Sequence, residues 1–202
     1  MYRAYERPLQ YPLTLSFKIL AFAPQVAVTD STGMLHFYVR QKLFKLKEAV
    51  TVFADEAQQQ PLYTLQADRI LDFSARYRIA DVQGRPLGSV KQQGMKSLVK
   101  SHFDVLDGET PVLTIQEENP WIKVLDALLS EVPVLGLFTG YVLNPSYIVA
   151  RPDGAPMLRL KKQPAFLESR FLIERLGELN GDEERRALLS LLMIVLLERG
   201  RG

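Results

Sequence analysis

An aspartate-centred turn that returns at near-constant spacing limits what this chain can fold into more than any other feature. The segments Asp30-Ser-Thr-Gly33, Asp55-Glu-Ala-Gln-Gln-Gln-Pro61, Asp81-Val-Gln-Gly-Arg-Pro86, Asp107-Gly-Glu-Thr-Pro111 and Asp153-Gly-Ala-Pro156 each lie between short alternating apolar runs. Their aspartates follow one another at intervals of 25, 26, 26 and 46 residues. Asp bonds its own downstream backbone, Gly takes positive φ and Pro ends the turn without needing a donor, so each segment reads as a hairpin turn. The flanks agree. In Arg76-Tyr-Arg-Ile79, Tyr77 and Ile79 fall on one face and Arg76 and Arg78 on the other. Leu158-Arg-Leu-Lys161 and Phe103-Asp-Val105 alternate in the same way. A period of two marks antiparallel strands with one buried face.

Five hairpins make ten strands, and the runs Leu13-Thr-Leu-Ser-Phe17 and Arg170-Phe-Leu-Ile-Glu174 bring the count to twelve. A sheet this wide with one apolar face must curl or close, because open edges invite aggregation. About eight strands can fill a barrel with their own side chains, whereas twelve leave a lumen. The filler is at the C-terminus, where Ala187-Leu-Leu-Ser-Leu-Leu-Met-Ile-Val-Leu-Leu197 lies in a predicted helix over 183–199 and has no polar face. Its apolar run of 11 residues covers roughly 16 Å, against about 30 Å of bilayer hydrocarbon. Charged residues bound it at both ends, so it reads as a helix buried in protein and not as a membrane span. The expected fold is therefore mainly β: a closed antiparallel barrel of about twelve strands around a buried hydrophobic C-terminal helix. No Gly/Ser-rich or charged low-complexity linker divides residues 1–202, which read as one domain.

The 46-residue interval accommodates an insertion. Asn119 is a good N-cap and Pro120 suits the first helical position. Trp121, Val124, Leu125, Leu128 and Leu129 then follow helical spacing, predicting a surface helix over 119–131. The apolar stretch Val132-Pro-Val-Leu-Gly-Leu-Phe-Thr-Gly140 reads either as a loop to the next strand or as an apolar lid.

Composition narrows the function classes. Apolar residues at 47% and charged ones at 24% are ordinary globular values. A net charge of +2 gives no whole-molecule attraction to nucleic acid. The absence of cysteine removes disulfides, thiolate nucleophiles and cysteine metal ligands. Met1-Tyr-Arg-Ala-Tyr-Glu-Arg-Pro8 lacks the apolar core of a signal peptide, which points to the cytoplasm.

The segment Met34-Leu-His-Phe-Tyr-Val-Arg-Gln-Lys-Leu-Phe-Lys-Leu-Lys-Glu48 resembles the opening of the LURP-one-related proteins. In that family a "V-K-Q-K-hydrophobic-F" phrase precedes a hairpin, and Val39-Arg-Gln-Lys-Leu-Phe44 matches it closely. The resemblance runs from about residue 25 to the C-terminus and takes in the turn at Asp81 and the apolar helix. It implies the tubby C-terminal-like fold shared with phospholipid scramblases, a twelve-stranded barrel threaded by a hydrophobic helix. Tubby domains bind phosphoinositide head groups at a basic site, and scramblases act at membranes. The cysteine cluster, Pro-rich tail and acidic calcium loop of scramblases have no counterpart here, so the resemblance implies binding and not lipid scrambling.

Catalytic chemistry has little to work with. His36 and His102 read as strand residues, and no HExxH pattern or Gly-x-Ser-x-Gly elbow occurs. Glu117 and Glu118 are adjacent, so in a strand they point to opposite faces and form no carboxylate pair. Gly94-Met-Lys-Ser97 lacks the first glycine of a phosphate loop, since Ser89 stands there. No catalytic residue, metal ligand or cofactor site is assigned. The basic residues offer more. Arg40 and Lys42 begin one cluster, continued by Lys45 and Lys47; Lys91, Lys96 and Lys100 make a second, and Lys161 with Lys162 a third. Arg40, Lys42, Lys91, Lys96 and Lys100 are the candidates for lipid head groups or other phosphates, each worth about 1 kcal/mol near an anionic membrane. The same lysines form a solvated rim if nothing binds them. Nucleic acid is not expected as a partner, because the lysines around Gly94 have no interleaved aromatics to stack bases on. Three functions fit: a binding module for anionic lipid or a protein partner, which adds peripheral membrane attachment; a structural subunit using the Trp121 helix; and, last, an enzyme with a pocket beside the central helix.

Overall fold

A computed structural model describes residues 8–18, 25–40, 49–68, 76–93, 102–118, 146–164 and 168–199. The predicted helix over 119–131 and the stretch from Val132 to Gly140 lie outside them. The strands are β1 (Leu13–Lys18), β2 (Gln25–Thr29), β3 (Leu35–Arg40), β4 (Val50–Phe53), β5 (Pro61–Ala67) and β6 (Arg76–Asp81). They continue as β7 (Pro86–Gln92), β8 (His102–Asp107), β9 (Thr110–Glu117), β10 (Ser146–Ala150), β11 (Pro156–Gln163) and β12 (Glu168–Arg175), followed by helix α1 (Gly181–Arg199). Each strand pairs antiparallel with its sequence neighbours, and β1 pairs with β12, so twelve strands close into one barrel. The expected fold class is the observed one.

The five Asp turns gather at one end of the barrel, here the turn end, because each joins an even-numbered strand to the odd-numbered strand that follows it. Every one of these hairpins slips register just before its turn, at Val28/Thr29, Val52/Phe53, Ile79/Ala80, Val105/Leu106 and Val149/Ala150. The slip explains the recurring prolines. Pro61, Pro86, Pro111 and Pro156 are the residues paired across it, with Phe53, Ala80, Leu106 and Ala150. Proline lacks the N–H of a regular ladder and is tolerated at such bulges and strand starts. Pro61, Pro86 and Pro156 therefore open their return strands and Pro111 is the second residue of its own, whereas the sequence pattern placed them in the turns. Bulges also increase local twist, which helps a sheet coil shut.

The one sequence signature is built in several ways. In the Asp30 and Asp81 turns the aspartate opens the turn. Gly33 and Gly84 donate back to the carbonyls of Asp30 and Asp81, both at 2.9 Å. The Asp30 carboxylate accepts from the Thr32 and Met34 amides at 2.9 and 3.1 Å, and that of Asp81 from Gln83 and Arg85 at 3.0 and 2.9 Å. In the last hairpin Arg151 holds the opening position and Asp153 sits inside the turn, accepting from Ala155 at 2.9 Å. Gly33, Gly84 and Gly154 have φ of 84°, 77° and 89°, a region that a Cβ disfavours. The Asp55 loop is longer and places Gln58 at φ 58°. Asp107 pairs with Thr110 across a two-residue turn, which leaves its carboxylate to reach elsewhere.

Inward strand residues such as Leu15, Phe37, Leu65, Ile79, Val105, Ile115, Val149, Leu158 and Ile173 share one buried cluster with the helix. From Ala187 to Leu197 no helix residue exceeds 6% exposure. Ser190, within that run, donates its hydroxyl to the Arg186 carbonyl at 2.6 Å and so brings no unmet polar group into the core. Each buried Leu, Ile or Val contributes about 1.5–3 kcal/mol relative to exposure, so the plug and the wall hold each other folded. No helix among the described residues is long and apolar enough to cross a membrane.

Candidate functional site

The two ends of the barrel differ in chemistry. At the turn end, polar groups are used up in closing the lumen. Asn180 caps the helix: its side-chain oxygen accepts from the amides of Asp182 and Glu183 at 3.0 and 2.9 Å. Glu183 reaches back to the Asn180 amide at 3.0 Å, completing a capping box. The same carboxylate takes both arms of Arg151, at 3.1 and 3.0 Å, which ties the β10–β11 turn to the helix. The Arg151 bond and the Asn180 amide outweigh burial and hold the Glu183 carboxyl below its usual range. Tyr11 donates to Glu184 at 3.0 Å under the Arg175 guanidinium, 5.7 Å from the ring centre. Burial first, and then the Glu184 charge, push the Tyr11 hydroxyl far above its ordinary pKa.

Arg186 completes the closure. It donates to the Leu87 carbonyl and, at 2.6 Å, to the Asp107 carboxylate that the short turn left available. Gly88 makes room here: a Cβ on it would stand 2.5 Å from the Leu106 carbonyl and 3.5 Å from the Arg186 side chain. Beneath the β2–β3 turn, Asp30 also bonds the His36 ring at 2.8 Å. That bond first, then the one from Thr32, holds Asp30 well below the usual carboxylate range. At Asp81, burial pushes the carboxyl up, but the amide and guanidinium of Arg85 win and the net shift is downward.

The opposite end presents both cations and acids, and its cations differ in how they are paired. Arg40 is the exposed last residue of β3, and it pairs across the ladder with Gln25, which pairs in turn with Lys18. Lys18 and Arg40 are both exposed, and neither makes an ion pair with a side chain that is described; Glu168 is the register partner of Lys18 on β12. Arg170 stands one row away, exposed and opposite Ser16. Lys91 lies four strands round the barrel from Arg40, so the two are not one site. It sits between Arg76 and Asp104 in the ladder. Glu109, which takes both arms of Arg76 at 2.5 and 2.8 Å, is near enough to feel the Lys91 charge. Lys42, Lys96 and Lys100 lie outside the described residues, as do Lys45 and Lys47. Lys161 is exposed on β11. Sequence reasoning missed Lys18, which strand register places two strands from Arg40 in the same row, and Arg170, three strands away on β12.

The remaining sequence candidates are accounted for by geometry. His36 and His102 lie in β3 and β8. His102 faces Asp104 at 3.3 Å. Glu117 is buried at an inward position beside Tyr147, while Glu118 faces outward and accepts from Ser146 at 2.6 Å and Arg159 at 3.0 Å. The two carboxylates are thus on opposite sides of the wall. Among the described residues no group of three or more His, Asp or Glu converges to hold a metal ion.

Residues 35–163 of the chain match the LURP-one-related family, from β3 to the end of β11. No curated protein matches the chain in sequence. Among solved structures, an X-ray structure of an Arabidopsis thaliana protein is similar over 94% of this chain and 92% of its own. Sequence identity between the two is 16% and the TM-score 0.49.

Proposed function

Since this chain belongs to the LURP-one-related family, we propose that it is a non-catalytic binding module that presents its basic end to anionic phospholipid head groups. The observation that carries the reading is the contrast in how charge is used. At the turn end, Glu183, Glu184, Arg151 and Arg186 are consumed in holding the helix. At the other end, Lys18 and Arg40 are exposed, and no carboxylate whose side chain is described is bound to either. The filled lumen supports the non-catalytic part, because the helix occupies the space a substrate pocket would need. The candidates Arg40, Lys42, Lys91, Lys96 and Lys100 belong to this proposal, with Lys18 added to the Arg40 group. The protein then acts as a peripheral one, held at the membrane surface by charge.

Co-sedimentation with vesicles tests it. The protein is expected to pellet with vesicles containing phosphatidylserine, to stay in solution with neutral ones, and to be released as salt shortens the Debye length from about 10 Å at 0.1 M. Absence of pelleting at low salt with any anionic vesicle would overturn the lipid reading and leave an acidic protein surface as the partner.

A further inference from the structure

We propose that Lys18, Gln25 and Arg40 form a seat for a single phosphate group on the outer face of β1, β2 and β3. The inference rests on the reading of the basic end as the binding surface and narrows it to one chemistry and one place. Lys18 and Gln25 are register partners, and so are Gln25 and Arg40, so the three stand in one row across adjacent strands. Two strand spacings, about 10 Å, separate the backbones of the two cations. Alternation sets their direction. Leu15 and Phe17 are buried on β1, and Val26 and Val39 on β2 and β3, which turns Lys18, Gln25 and Arg40 outward.

The residue types fit a tetrahedral dianion. Arg offers a planar fork for two phosphate oxygens, and Lys a compact charge with three rotatable donors. Half-buried Gln25 adds amide donors between them. In the next row of this outer face Ser16 and Ala27 are register partners with short side chains, and Ala27 pairs in turn with Tyr38, which stands two positions from Arg40 and feels its charge. Arg170 stands opposite Ser16 and adds positive potential from the far side. Glu168 holds the ladder position opposite Lys18, on the side away from Gln25. The Lys91 row also has an acid opposite its lysine, Asp104, but differs in its second cation: Arg76, the other neighbour of Lys91, is already held by Glu109. A lipid head group with a terminal phosphomonoester and free inorganic phosphate both carry the group this seat recognises.

Vesicles matched in surface charge, carrying either phosphatidic acid or phosphatidylserine, test the seat together with a chemical-shift titration by inorganic phosphate. The expected result is a preference for phosphatidic acid that Lys18→Ala/Arg40→Ala loses, with affinity falling about 30-fold. Lys91→Ala keeps the preference. Phosphate should also move the amide signals of Lys18, Gln25 and Arg40. Gln25→Leu, which retains both charges, is expected to lose the preference while keeping charge-dependent pelleting. It serves if the double variant does not melt like the wild type. Shifts at these amides without retention on any vesicle uphold the seat with a soluble phosphate as its ligand, and overturn the membrane reading. Equal retention on the two vesicle types with no shift overturns the seat and leaves the basic-end reading standing. No retention and no shift overturns both.

Discussion

The two ends of the barrel are made from the same hairpins yet spend their charges in opposite ways. At the turn end Asp30, Asp81 and Asp107 are bonded to their own turns or to the helix, and Arg151, Arg175 and Arg186 close on acids or carbonyls. At the other end Lys18 and Arg40 lie outside the wall, with no acid bound among the side chains that are described. An end whose polar groups satisfy one another contributes to folding and has little left to recognise a ligand with. An end whose cations remain uncommitted costs some self-repulsion, and a bound anion relieves it. Structure and function are thus divided between the two ends.

The largest effect should come from the core that both ends share. Leu192→Asp or Val195→Asp places an unpaired charge in the lumen, a penalty of several kcal/mol against a total stability of about 5–15 kcal/mol. Neither variant should yield soluble protein with strand-type circular dichroism, and deleting residues 187–202 should likewise give insoluble chain. A folded, soluble truncation would break the comparison at its root, since the barrel would stand without its plug.

The turn end comes next. Glu183→Ala removes a helix-cap bond and the carboxylate that Arg151 grips. Denaturant melts should show a loss of about 2 kcal/mol, with Arg151→Met giving a smaller one. A loss no larger than that of Lys91→Ala would mean that the rim network is ornament.

A smaller effect is expected from pH. Asp30 is held below its ordinary range in the folded state, so its stabilisation is present above the unfolded pKa of about 4 and fades as pH falls further. Tyr11 is shifted the other way, so its contribution is present below about pH 10 and is lost as pH rises. Melting temperature measured against pH should therefore drop at both extremes. Asp30→Asn should flatten the acid limb and Tyr11→Phe the alkaline one. Unchanged slopes in both variants would show that these contacts do not set the pH limits.

The smallest stability change belongs to the basic end. Arg40→Ala and Lys91→Ala should each alter the unfolding free energy from denaturant melts by no more than about 0.5 kcal/mol. A greater cost would place these cations in the fold and remove the asymmetry on which the functional reading stands.

Much of this architecture was legible in the sequence. Turn chemistry is local, so Asp30, Asp81 and their glycines announced hairpins, and a helix with no polar face announced its own burial. What stayed hidden depends on register and on long-range contacts. Asp107 looks like the other turn aspartates in sequence, but its carboxylate serves Arg186 of the helix, which no local pattern reveals. Arg151 gave no sign that it would stand where Asp30 and Asp81 stand in their turns. The site was less legible than the fold. Arg40 and Lys91 are both basic residues near strand ends, and only the closed strand order shows that they lie four strands apart. Lys18 is drawn beside Arg40 by the pairing of β1 and β3 with β2, a relation that spacing along the chain does not contain.

The claim that one end is closed for folding and the other left for binding is tested most directly by a spin-labelled lipid in anionic nanodiscs, read through the amide signals of the intact protein. The account predicts broadening at Lys18, Gln25 and Arg40, with Gly33, Gly84 and Gly154 of the turns unaffected. Broadening at the three glycines while the β1–β3 row stays sharp would contradict it.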